Sequence, residues 1–431
     1  MDPLNCAWPI KAFVSPQVLI QCVIFGLVLK ASPAELRAAP RPGDVFREYR
    51  WTNNGGDAGG SLRVGGKVGY GGSNLDFPHS LDLVHATRAE VVIEKLLCHA
   101  GTRQLKISVN DHPWIVLPEA TEIPAPQWDY QHHTFPVVGI PLSQLQTGKG
   151  NRFRLRVADE HPWNWPQNLI YGVHIRIFYD KLQKPHPIGR IVSPMAGSLL
   201  GRSVDLEVEA SSLQGDVVRV DFLGEYDDVN LEGDGRYRQW HYHYIRSELS
   251  GHLGTVIKAP WRLTWDTSWV PDQSVPCRIA AWITDSTGMT VFSEAADGLS
   301  FERGDLSVEL CRPYHVPKKW VTRSGEHSEN FRVVGDLSTA LRAKLVWCSW
   351  SPGYMEGIFI NDHLVLQREG PRYAHFLHHV PLDDLSVLKS GENTLTTGKT
   401  PKHNGKTVHG MEVNWPGIML LIQYQHKNQT P

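Results

Sequence analysis

The sequence lacks a charge excess of either sign: 43 Lys and Arg stand against 45 Asp and Glu, a formal net charge of -2. No long basic run exists, so a nucleic-acid partner, which needs a basic face or stripe, is not expected. Neither a GxSxG nucleophile elbow nor an HExxH helix is present. The 6 cysteines show no CxxC spacing, which removes the usual zinc signatures. The Gly-rich stretch GGDAGGSLRVGGKVGYGGS (residues 55–73) is followed by no helical pattern. It is therefore no phosphate cradle and reads as a loop or β hairpin. Helical periodicity is almost missing from the whole chain.

What is present begins with the first 34 residues. Lys11 closes a short n-region, Val18 to Leu29 is a run broken only by Gln21, and Ser32, Pro33 and Ala34 offer a small-residue cleavage site. Such a run suits a signal h-region and is short of the roughly 20 residues of a membrane span. Residues 1–34 are read as a signal peptide or, uncleaved, an N-terminal anchor. The remainder is expected to be secreted, periplasmic or at the cell surface, with membrane contact only through that segment. Cleavage would remove Cys6 and Cys22. The remaining Cys98, Cys277, Cys311 and Cys348 allow three pairings, among which spacing does not choose.

Short alternating segments run along the chain, among them AEVVIEKLL, QLKISVND, RFRLRVA, VHIRIFYD, SVDLEVEAS, VVRVDFLG, RIAAWITD and AKLVWCSW. They are rich in β-branched residues and bounded by Gly, Pro, Asn or Asp, which predicts an all-β protein. Two stretches repeat in order. Each has a strand with a Cys, a VND or IND hairpin, a His-bearing strand, a PL..L..G.N segment and a closing WP plus final strand. Cys98 and Cys348 lie twelve and thirteen residues before Asn110 and Asn361, which suggests equivalent places. Asn-Asp tolerates the left-handed backbone of a tight hairpin, and two Leu three apart in PLSQL and PLDDL suit a short helical turn at a sandwich end. This is the layout of an antiparallel jelly roll.

The segment INDHLVLQ…VPLDDLSVLKSGENTL resembles the galactose-binding-like jelly rolls that recur as accessory modules of secreted glycoside hydrolases. The resemblance covers residues 45–180 and 325–426. In the carbohydrate-binding members sugars are held by loops at one edge or on a concave face, and no loop residue here carries over. Between the two lies PWRLTWDTSWVPD followed by RIAAWITDSTG. This order resembles the bacterial Ig-like domains of secreted polysaccharide-active proteins and covers residues 191–303, after a polar linker at 181–190. The expected architecture is three β-sandwiches in tandem: jelly roll, Ig-like, jelly roll.

The Ig-like segment departs from its pattern once. After VVRVDFLGEY the turn swells into DDVNLEGDGRYRQWHYHY, residues 227–244. Asp228, Asn230 and Glu232 stand at alternate positions before Gly233, as in an EF-hand loop, but position twelve is Gln239 and no helices flank it. An EF-hand is excluded. A looser Ca²⁺ site could draw on Asp227, Asp228, Asn230, Glu232 and Asp234; the other reading is an acidic hairpin tip. Beyond it, alternation puts Tyr237, Gln239, His241 and His243 on one side and Arg238, Trp240, Tyr242 and Tyr244 on the other. Trp240, Tyr242 and Tyr244 either stack on sugar rings or pack the sandwich. Trp163, Trp165 and Trp415, in Pro-rich loops, either face a glycan or lock the loops down. Clustered His (His132, His133, His375, His378, His379) suggests a metal only weakly, because neighbours in a strand point to opposite faces. The expected function is a secreted, non-catalytic carbohydrate-binding or cell-surface accessory protein, its partner a glycan and its only cofactor a structural Ca²⁺. The alternatives are a glycan-active enzyme with a site near 227–244 and a structural or adhesion module.

Overall fold

The computed structural model describes residues 40–52, 62–66, 73–120, 122–123, 133–162, 164–402, 404–406 and 409–425. The 1–34 segment, His132 and Trp163 lie outside the described residues. Among those described, every regular element is a strand or a three-residue 3-10 turn. No described helix is long and apolar enough to cross a membrane.

Three hydrophobic cores line up along the chain. The first lies between the Val45–Thr52, Ala86–Leu97 and Asn168–Tyr179 strands on one side and a four-stranded sheet containing Lys106–Val109 and Arg152–Arg156 on the other. Val91, Ile93, Ile107, Phe153, Val173 and Ile175 fill it. The second core packs Leu206, Phe222, Ile279, Ala281 and Leu299 between Val217–Asp227 and Cys277–Asp285 and a three-stranded sheet. The third packs Trp320, Phe331, Leu345, Trp347, Ile358 and Ile422 between a five-stranded and a four-stranded sheet.

The duplication visible in the sequence is reproduced bond for bond. Asn110-Asp111 and Asn361-Asp362 are two-residue turns with φ of 47° and 64° and of 49° and 69°, the geometry of a type I′ hairpin. Asn110 Nδ2 donates to Gln144 O and Asn151 Oδ1, and its Oδ1 accepts from Arg152 N. Asn361 Nδ2 donates to Val387 O and Asn393 Oδ1, and its Oδ1 accepts from Thr394 N. The Asn that follows in each repeat, after Gly148-Lys149-Gly150 in one and Gly391-Glu392 in the other, ties down the turn before it, Asn151 on Gln146 and Asn393 on Lys389. The Leu142–Gln144 turn sits within PLSQL, whereas the matching Leu385–Val387 turn starts at the last Leu of PLDDL, whose first Leu, Leu382, still belongs to the His375–Leu382 strand. Replacing Asn110 or Asn361 by Ala strands backbone groups and loses a residue that tolerates αL. A cost of about 2–3 kcal/mol at each site is expected in urea unfolding.

Three expectations are corrected, and the cysteine pairing that spacing left open is answered. The segment 181–190 is no plain linker, because Pro187–Ser193 is already a strand paired with Ser203–Ser212. Cys98, Cys277, Cys311 and Cys348 are all free thiols. Cys98 follows the end of Ala86–Leu97, whereas Cys348 lies within Ala340–Trp350 opposite Leu377, so the two are not equivalent in register. The jelly roll and the middle sandwich are also not separate sheets. Val45–Arg47 pairs antiparallel with Met289–Val291, which fuses their main sheets into one of 13 strands.

Candidate functional site

The outer face of the first sandwich's main sheet carries polar residues at alternate positions: Glu48 and Arg50, Glu90 and Glu94, His174 and Arg176. Such a pattern normally faces water. Here it is covered, and every residue of Asn168–Tyr179 is buried. Arg176, fully buried, gives Nε and Nη2 to Glu48 Oε2 at 3.2 and 2.9 Å, Nη1 to Glu90 Oε1, and Nη2 to Tyr244 OH at 2.9 Å. Tyr244 OH donates onward to Glu48 at 2.6 Å. Arg50 holds the other Glu48 oxygen at 2.5 Å. Burial works to raise the Glu48 carboxyl, but Arg50 and then Arg176 override it and hold it well below the carboxylate range. Burial pushes His174 down to about 3, leaving a neutral imidazole among the charges.

The cover is the enlarged turn of the middle sandwich. Arg238–Trp240 pairs back onto Glu225–Asp227, and His243–Ile245 with Glu248–Ser250 forms a hairpin. Its two turn residues, Arg246 (φ 54°) and Ser247 (φ 68°), adopt a conformation that normally selects Asn or Gly. The tip is held because Arg246 N donates to both Glu94 oxygens at 3.1 and 3.0 Å and Arg50 donates to Ser247 O at 2.9 Å. The Arg246 guanidinium lies 4.3 Å from the Tyr171 ring centre. His133 Nε2 stands 3.2 Å from Glu94 Oε1, at ion-pair distance but without hydrogen-bond alignment. His375 of the third sandwich packs on both, its ring centre 5.0 Å from that of His133 and 5.9 Å from that of Tyr171. All three sandwiches therefore meet at one point.

The five acidic-loop residues do not converge. Asp227 lies 3.8 Å from Arg238 and 3.5 Å from Arg312. Asn230 bonds Asp234, Arg236 O and Gly235 N, so it locks the loop from within. Glu232 faces His241 at 3.3 Å and His243 at 3.9 Å. Burial raises Asp228, next to Tyr226 and Glu232. Among the described residues no group of three or more His, Cys, Asp and Glu side chains is placed to hold a metal. Asp227 faces guanidiniums, Glu232 faces imidazoles, and Asp234 Oδ1 accepts from the Asn230 and Gln239 amides and Arg236 N, so the donor set as folded is not gathered around one Ca²⁺.

The Glu232 clamp has a measurable consequence. Burial works against charge on His241, but the Glu232 carboxylate pulls its pKa from 6.5 up to about 9. A raised imidazole stabilises fully below the unfolded value and loses that contribution as pH climbs through the folded one. Stability on the order of 3 kcal/mol should thus drain away between pH 6.5 and about 9. Lys95, which burial pushes down to about 8, adds stability in the opposite sense above that pH. The readout is therefore the difference in unfolding free energy between the native chain and His241→Gln, which should shrink towards pH 9.

The aromatic candidates divide. Trp240 and Tyr242 are partly exposed and line a pocket of about 320 Å³ with Arg41, Arg236, Arg238 and Gln239. Tyr244 also touches this pocket, but it is 1% exposed and its hydroxyl is spent on Glu48, so it supplies a wall and not a platform. Trp415, 8% exposed, belongs to the third core and offers no face to a ligand. Trp165 is 38% exposed with Arg63 5.2 Å from its ring centre. The two faces expected of 237–244 do separate, imidazoles towards Glu232 and aromatics towards Phe292 and Trp282. A larger groove of about 900 Å³ runs past Asp272, Glu309, Arg312 and Asp336, but its one lining aromatic, Tyr424, is held by a hydrogen bond to Glu309. Arg41 and the buried Glu48–Glu90–Arg176 set were not singled out as functional from sequence, and His375 was named there only within a histidine cluster weighed as a metal site.

No family model matches the chain, and no curated protein matches it either. Solved structures align over parts of it. Wild-type BuGH86 in complex with neoagarooctaose aligns at 10% identity and a TM-score of 0.23, covering 59% of this chain and 35% of that one. A β-porphyranase of glycoside hydrolase family 86 from Bacteroides plebeius aligns at 14% identity and 0.22, covering 57% and 37%. Fibronectin(III)-like modules of CbhA from Clostridium thermocellum align at 12% and 0.18, covering 47% and 80%. The chain thus spans about a third of the length of the hydrolases it aligns with. Similarities at this level carry no argument about its ligand or chemistry.

Proposed function

We propose that this chain binds a glycan in the pocket between the first and middle sandwiches, as an extracytoplasmic carbohydrate-binding protein. The observation that carries the reading is the lining itself, Trp240 and Tyr242 beside Arg238 and Gln239. Sugar C–H groups pack on aromatic faces, while hydroxyls need fixed polar partners. Arg238 is fixed, since its guanidinium donates to the backbone oxygens of Val275 and Pro276. The rings are preset too: Trp240 packs edge-on against Phe292 at 5.2 Å and Tyr242 against Trp282 at 4.8 Å. Little side-chain freedom is left to lose on binding, which favours affinity. A glycan array probed with the full chain should show binding, and Trp240→Ala should weaken it by about tenfold or more. An array with no signal removes the reading.

A second reading, a glycan-active enzyme, has one observation in its favour: the junction where Glu94, His133, Tyr171, Arg246 and His375 meet. There burial holds the His375 imidazole neutral and the Tyr171 phenol protonated, and neither His375 nitrogen nor the Tyr171 hydroxyl has a hydrogen-bond partner among the described residues. A neutral imidazole can accept a proton and a protonated phenol can donate one, although burial weakens each for that task. Incubation with polysaccharide pools, followed by assays for reducing and unsaturated ends, tests it. Products that vanish in His375→Ala would establish the activity, and their absence would leave the binding reading alone.

A further inference from the structure

We infer that the Trp240–Tyr242 pocket selects an acidic sugar residue, a uronate or a sulfate ester, over a neutral one; this rests on the glycan reading above. The lining brings three guanidiniums, Arg41, Arg236 and Arg238, against one carboxylate, Glu225. Two of these four charges are compensated. Arg236 Nε pairs with Glu122 at 2.9 Å, and Glu225 pairs with Arg278 at 3.0 Å. The other two are not. Among the described residues the Arg41 side chain makes no hydrogen bond or ion pair. Arg238 spends its donors on the uncharged oxygens of Gln273, Val275 and Pro276, and its nearest acid, Asp227, is 3.8 Å away and shared with Arg312 at 3.5 Å. One carboxylate between two guanidiniums leaves a unit of positive charge and Arg41 adds another, while Arg278, shared between Glu225 and Asp297 at 2.5 Å, leaves one negative charge, so the set is positive by one.

A second, independent feature points the same way. His243 lines the pocket and is 5% exposed; its Nδ1 stands 3.9 Å from Glu232 Oε1, beyond hydrogen-bond reach, and has no hydrogen-bond partner among the described residues. Buried polar atoms are normally satisfied, so an orphan in a pocket wall marks where a ligand atom would bond. Its ring is fixed from both sides. Phe135 stacks on it at 5.1 Å, and a Cβ at Gly251 would come within 2.9 Å of it. An acidic sugar fits this set: its ring on Trp240, its anionic group between Arg41 and Arg238, and a ring or hydroxyl oxygen at His243. Guanidinium matches carboxylate and sulfate alike, so both sources share the chemistry.

The test uses the full chain and four named polymers: polygalacturonate for uronate, dextran sulfate for sulfate ester, and dextran and laminarin as neutral controls. Affinities are measured by calorimetry or biolayer interferometry at low and physiological salt. The expected result is binding to at least one acidic polymer and about tenfold weaker or no binding to both neutral ones. Trp240→Ala should abolish it, and Arg41→Gln, an exposed change that cannot unfold the chain, should weaken it by about tenfold. The two acidic arms separate carboxylate from sulfate. Equal binding of neutral and acidic polymers overturns the selectivity while leaving the glycan reading intact. Acidic-polymer binding that survives Trp240→Ala overturns it as well, because it would be ion exchange at the surface. Binding of none of the four, with a silent array, removes both.

Discussion

Arg176→Leu is expected to destabilise the chain by about 3–5 kcal/mol, among the largest effects of any single substitution. The side chain is fully buried and stands between Glu48 and Glu90, each bonded to it, with Tyr244 as a third partner. Removing it leaves two carboxylates inside the protein. Arg50 still holds Glu48 and Arg88 still reaches Glu90 at 3.3 Å, but Arg88 is largely at the rim. The penalty is that of orphaned charge, so it should fall when the charge goes too. Arg176→Leu combined with Glu90→Leu should recover part of the loss, because breaking a buried pair costs more than replacing it whole. Urea unfolding of the single and double variants measures both numbers. A single-variant loss below about 1 kcal/mol would mean that water reaches the network.

Trp282→Ala should cost about 3–5 kcal/mol and also split the unfolding transition in two. Trp282 belongs to a middle-sandwich strand, yet its ring meets Phe46 of the first sandwich at 5.4 Å and lies under Arg176 at 5.6 Å. Tyr242 of the inserted loop packs on it at 4.8 Å. One indole therefore serves three elements from two sandwiches. Its loss opens a cavity between them, where the surroundings can relax by separating. Calorimetry of the native chain should show the first and middle sandwiches melting together, and the variant should show them melting apart. A single sharp transition at a lower temperature would place the coupling elsewhere.

The strands and their turns were legible because their causes are local. Alternation marks a strand, Asn-Asp marks a type I′ turn, and an Asn after a Gly-bearing turn marks the residue that ties that turn down. All recur with the same bonds in Asn110 and Asn361. The polar face of the first sheet was legible as polar and not as buried. Glu90 and Glu94 alternate with Val91 and Ile93 as they would on a wet surface, and nothing local says that residues 238–250 come to cover them. The junction was hidden for the same reason: His133 and His375 are brought ring to ring by the stacking of sandwiches, not by any spacing. Alternating carboxylates in the acidic loop have the sequence pattern of a cation site. Here they serve as counter-charges for His241, His243, Arg238 and Arg312.

The pairing of Val45–Arg47 with Met289–Val291 also bears on how this gene can change. Tandem β modules are commonly thought of as beads, exchangeable at the linkers between them. Cutting this chain near residue 185 would leave each piece with an open ladder of N–H and C=O groups. On one piece Phe46 would be laid bare, and on the other Trp282. Such edges pair with whatever strand they meet. The first two sandwiches are thus expected to be inherited as one indivisible segment, and an insertion between them should be tolerated only where it loops clear of that shared ladder.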